Sequence, residues 1–153
     1  MDTIKLNLEH GVVSVNSEPI TTDEKGTLAA SIAKLCSPPI QTDYGRTQYH
    51  LLRKANVFGK SSTVVIEVGE KGLHLVAFLF DLIEFFESSI LESKVLKACE
   101  KSLNVNFIGD HPSTAFLNSF KWGKITFFYD AKQGDLSLNI TFEHGLDEPD
   151  LTA

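Results

Sequence analysis

Two stretches of this sequence alternate so strictly that they leave a chain of this length few ways to fold. In "KITFFYDAKQGDLSLNITF" (124–142), Ile125, Phe127 and Tyr129 fall on one side of a strand, and Leu136, Leu138, Ile140 and Phe142 on the same side of the next. A period of two is that of a half-buried β-strand. Ser137, Asn139, Thr141 and Glu143 take the other side, facing water or a partner. The intervening "DAKQG" suits a type I turn closed by Gly134 at a left-handed position. "STVVIEVGEKGLHLVAFLF" (62–80) reads as a second hairpin. Its second strand is apolar on both faces, which predicts a central strand covered by a helix on one side.

Helices are expected between these hairpins and before them. Leu28, Ile32 and Leu35 recur at helical spacing behind "TTDE", where Thr21 and Glu24 suit a capping box, and Pro38 and Pro39 end the run. Val95, Leu96, Cys99 and Leu103 form a second apolar stripe with Lys94, Lys97, Glu100 and Lys101 outside it. Ser89 and Glu92 sit at capping spacing before this stripe, and Asn104 is a fitting stop. "TIKLNL" and "VVSV" read as a short N-terminal hairpin, and residues 41–60 as either a strand or a short helix. The expected fold is α+β: one domain over residues 1–145, mainly an antiparallel sheet of about five to seven strands with two main helices packed on one face, and a polar tail at 146–153. Helix, Pro-containing loop and hairpin recur twice, over 21–80 and 90–143, as a duplicated α-β-β unit would.

Composition narrows the function. The chain has 153 residues and a formal net charge of -6, so no broadly basic surface for nucleic acid is expected. No apolar run reaches the ~20 residues of a membrane span, and the N-terminus lacks a signal-peptide pattern. Cys36 and Cys99 are far apart and outside any C-x-x-C, which fits reduced core thiols in a cytoplasmic protein.

Catalytic signatures are sparse. There is no nucleophile elbow, P-loop, dinucleotide fingerprint or H-E-x-x-H, and the five histidines are scattered, so neither catalytic residues, a metal nor a cofactor is expected. Asp110–His111 in "GDHPST" is the one acid–histidine pair of interest, and a turn with a local hydrogen bond is its plainer reading. Glu84 and Glu87 beside Phe85 and Phe86 read as a solvated face, and His74 as a satisfied core or edge histidine.

"FIGDHPS", "KWGKITFFYD" and "GDLSLNITFE", with "EKGLHLVAF" as a weaker echo, resemble in style the immunity proteins of bacterial polymorphic toxin systems, including contact-dependent growth inhibition. That resemblance implies a stoichiometric inhibitor binding one cognate toxin domain 1:1, a basic nuclease above all, and occluding its activity. Carboxylates suit a cationic active site and accelerate encounter with it. Contact residues expected on or beside the polar hairpin face are Phe128 as an apolar anchor and Asp130, Asp135, Glu143, Asp147 and Glu148 as acids. The element order is also similar to specialised type III secretion chaperones, which bind an effector segment as dimers, although Pro149 and the short tail leave no room for their closing helix. A small enzyme built on Asp110–His111 is the third reading.

Overall fold

The computed structural model describes residues 1–81, 91–108, 114–130 and 135–142. Among these, strands dominate. They are β1 (Asp2–Asn7), β2 (Val12–Val15), β3 (Glu18–Pro19), β4 (Ile40–Gln41), β5 (Thr47–His50), β6 (Ala55–Val57), β7 (Lys60–Gly69), β8 (Gly72–Phe80), β9 (Thr114–Phe120), β10 (Gly123–Asp130) and β11 (Asp135–Phe142). The helices are α1 (Ala30–Ala33), a single turn, and α2 (Leu91–Leu103).

The strands form one mixed sheet in the order β3-β2-β1-β6-β7-β8-β11-β10-β9, with β5 also on β7 and β4 beyond it. All pairings are antiparallel except β1 with β6, where Asp2 and Thr3 run parallel to Ala55 and Asn56. Both expected hairpins form: Ile66 pairs with Val76 and Val64 with Phe78 in one, and Ile125 with Ile140 and Phe127 with Leu138 in the other. They are neighbours, because β8 pairs with β11 through Phe78–Leu138 and Val76–Ile140. Partners in register share a face, so Val64, Ile66, Val76, Phe78, Leu138, Ile140, Ile125 and Phe127 make one fully buried layer.

The expectation of two helices on a five-to-seven-stranded sheet is overturned. Eleven strands are present among the described residues, and α2 is the one helix longer than a turn. The predicted helix over Thr21–Leu35 fails at its start. Asp23 accepts hydrogen bonds from the backbone N–H of Lys25 and Thr27, each at 2.9 Å, and Thr22 bridges antiparallel to Leu28. An acid hydrogen-bonding to nearby amides and a left-handed Gly26 offer the backbone a tight loop instead of a helical turn. Leu28 and Ile32 still reach the core, so their spacing reported burial rather than helix. Residues 41–60 resolve into three short strands. The second helix agrees with its stripe: Val95, Leu96 and Cys99 are buried, Lys94, Lys97 and Lys101 are exposed, and Asn104 ends it at φ 55°. Its capping pair at Ser89 and the Gly134 turn lie outside the described residues.

The sheet curls until its two ends meet. Trp122, in the turn between β9 and β10, donates its indole N–H to the Leu8 carbonyl at 2.7 Å, across 114 residues of sequence. Its ring stacks on Phe120 at 4.9 Å and tilts against Phe142 at 6.0 Å. Gly11, at φ +65°, lies against this ring, and a Cβ there would fall inside it. The β1–β2 turn therefore needs glycine for both conformation and space. The first and last hairpins thus enclose one continuous core that runs from Ile4 to Phe142.

Candidate interaction face

Alternation along β8, β11 and β10 puts a second set of residues on the face away from that core. The rows read across the strands are Ala77–Asn139–Thr126 and Leu79–Ser137–Phe128, in register from β8 to β11 to β10. Leu79 and Phe128 are exposed at 39% and 38%, while Ser137 between them is 6% exposed. Two large apolar side chains therefore stand on either side of a small, sunken one. Asn139 donates to the Ser137 hydroxyl at 3.2 Å, keeping the floor polar and satisfied.

The next row is acidic. Asp130 and Asp135 are cross-strand partners at the β10–β11 turn, both half-buried. Asp81 follows β8 two residues beyond Leu79, with its N–H donated to the Ser61 carbonyl at 2.9 Å. It lies just beyond the last β8–β11 pair, Leu79 with Ser137, at the same end of the face. Lys124 stands at the far end of the same face, about 20 Å from Asp130 at the rise of a strand. On the β7 side Lys54 donates to Thr63, the partner of Leu79, at 2.9 Å. The face is thus apolar at its middle, acidic at one end and edged by single cations.

Of the residues expected from sequence, Phe128, Asp130 and Asp135 come together here. Glu143, Asp147 and Glu148 lie outside the described residues, as do Asp110–His111 and Glu84–Glu87. Leu79 was missed because it belongs to β8, whose two-sided hydrophobicity reads as complete burial, and Asp81 because it lies just past the end of that strand.

His74 belongs to a buried polar cluster on the same face. A bulge between Glu67 and Val68 turns His74 towards Glu67, with its Nε2 3.9 Å from the Glu67 carboxylate. Glu67 also accepts from Arg46 at 3.3 Å and Gln48 at 3.2 Å, and Arg46 lies over the Tyr44 ring. Arg46, Glu67 and His74 are all less than 9% exposed. A buried, hydrogen-bonded ion pair of this kind fixes the loop before β5 onto β7; removing one partner typically costs about 3–5 kcal/mol.

Among the described residues no group of three or more His, Cys, Asp and Glu side chains is placed to hold a metal ion. No helix of the described residues is long and apolar enough to cross a membrane. No protein-family model, curated protein or solved structure matches the chain.

Charge is distributed unevenly along the sequence. Thirteen of the twenty acidic residues and thirteen of the fourteen basic ones fall in the described residues, which are therefore balanced. The net charge of -6 comes from 82–90, 109–113, 131–134 and 143–153.

Proposed function

We propose that this chain is a toxin-neutralising immunity protein that binds one basic toxin domain, of the nuclease type, and occludes it with the outer face of β8, β11 and β10. The observation supporting this reading is the exposed Leu79–Phe128 pair edged by Asp81, Asp135 and Asp130. Interfaces concentrate their energy in a few large side chains shielded by a polar rim, and this face offers that arrangement. Nuclease active sites are cationic because they hold phosphate, so carboxylates beside an apolar anchor match them in charge.

The test is co-expression with a basic toxin domain of the nuclease type. Restored growth and a 1:1 complex, weakened tenfold or more by Leu79→Ala with Phe128→Ala, are the expected results. Growth arrest despite full expression of a folded protein, with no complex in solution, would refute the reading.

A further inference from the structure

Leu52 stands in the bend between β5 and β6 and, at 68% exposed, is the most open large apolar side chain among the described residues. Its backbone N–H donates to the Leu35 carbonyl at 3.0 Å, which sets it beside Lys34, the residue that ends α1. Arg53 and Lys54 follow, and all three consecutive side chains are exposed, so the bend is convex. The Lys54 carbonyl accepts the Asp2 N–H at 3.1 Å, which holds Met1, itself 62% exposed, against the same bend. Among the described residues Lys34 and Arg53 form no ion pair, and the Lys54 amine bonds the neutral Thr63 hydroxyl. The acid at the base of the bend, Asp2, is 3% exposed and accepts from Asn16. Its charge tempers the three cations from below but leaves their outer surface open. An apolar tip among cations asks a partner for apolar contact and negative charge together. A convex bend has no groove in which to enclose a peptide, whereas a lipid surface meets it with phosphates outside and acyl chains within.

We propose that the bend at residues 52–54, with Met1 and Lys34 beside it, is a contact site for an anionic lipid surface. Leu52 and Met1 enter the boundary between headgroups and acyl chains. Lys34 and Arg53 reach the phosphates, their stems lying along the apolar tip, and Lys54 adds charge from its place on Thr63. Arg53 is the strongest headgroup ligand, because its planar fork meets two phosphate oxygens at once. The net charge of -6 opposes approach to such a surface. At about 0.1 M salt that field fades within about 10 Å, so the local cations govern the bound state. One apolar tip with a few cations gives reversible attachment, not anchoring. The site lies outside β8, β11 and β10, so it stands or falls independently of the proposed toxin face.

The probe is phosphatidylcholine vesicles carrying about one-third phosphatidylserine, sedimented with the full chain at about 0.1 M salt. Partition at least tenfold above that onto pure phosphatidylcholine, falling as salt is raised, is the expected result. Arg53→Gln should lower it about fivefold, the effect of one basic residue near a charged leaflet. Leu52→Ser should lower it at least as much, because the apolar tip is lost. Both side chains are exposed, so both variants should keep the Trp122 emission of the parent, which confirms that they are folded. Lys97→Gln removes an exposed cation of α2 and should change partition less than twofold. No partition onto the anionic vesicles, equal partition onto pure phosphatidylcholine, or equal losses from Lys97→Gln and Arg53→Gln would overturn the site. Binding of soluble polyglutamate without binding of vesicles would overturn it too, in favour of an acidic polypeptide.

Discussion

Cys36 and Cys99 show how position alone sets the chemistry of a residue. Burial pushes the Cys36 thiol up to about 11, and the charge of Asp2 adds to it. Burial, and then Glu100, push Cys99 up to about 12, with a backbone hydrogen bond opposing. Both thiols are therefore protonated in the folded chain while in an unfolded one they ionise near 9.0. As pH rises from about 9 towards 12 the unfolded chain loses protons first, so stability falls across that window and is unaffected by these groups below it. Urea midpoints at pH 8 and pH 10.5 should show the loss, and it should shrink when both cysteines are replaced by alanine. Native Cys36 should also react with iodoacetamide at pH 8 at least roughly a hundredfold more slowly than in urea, because thiolate is the nucleophile. Asp2→Asn should recover part of that rate.

Local backbone choices explain which elements were legible. Alternation identified both long hairpins and the faces of β10 and β11 position by position, because the period of two has no competing reading over eight residues. The stripe of α2 and its Asn104 stop were equally clear. What failed was the segment 21–35, where helical spacing of Leu28 and Ile32 was outweighed by Asp23 and Gly26. The short strands between 40 and 57 were invisible because two to four residues carry no periodicity. For the site, Phe128, Asp130 and Asp135 were readable within one hairpin. Leu79 and Asp81 needed the β8–β11 register, which links residues more than fifty positions apart. Turns carry a prediction of their own. Asn16 and Ser17 both have positive φ, 51° and 72°, between β2 and β3, the conformation of a type I′ turn. Asn16 also donates to Asp2 at 2.9 Å and accepts from the Thr3 N–H. Ser17 has no such bond among those resolved, and glycine removes its steric cost. Ser17→Gly should raise stability by up to about 1 kcal/mol, read as a higher urea midpoint at unchanged slope. A lower midpoint would show that the serine side chain supports the turn.

At the scale of the molecule, one contact joins ends of the chain that the hydrogen-bonded ladder leaves apart. Trp122 is the chain's one tryptophan, so its fluorescence reports directly on that closure. Trp122→Phe keeps the ring but loses the bond to Leu8, and should cost about 1 kcal/mol. Gly11→Ala meets both the ring and an unfavourable φ, and should cost more, with a red-shifted emission that far-UV circular dichroism does not match. Equal stability of Gly11→Ala and the parent would show that the two hairpins do not close on each other. The clasp lies at the Gly123 end of β10, away from the acidic row, so these variants should leave binding by the outer face intact.

Partner binding is proposed to belong to the outer face of β8, β11 and β10. Amide hydrogen exchange of the 1:1 complex with the toxin domain that the chain neutralises, against the free chain, is the measurement that decides it. Protection concentrated at residues 77–81, 126–130 and 135–139 is the predicted result. A complex whose protection falls instead on α2 or on the Trp122 clasp, with these three stretches unchanged, would contradict it.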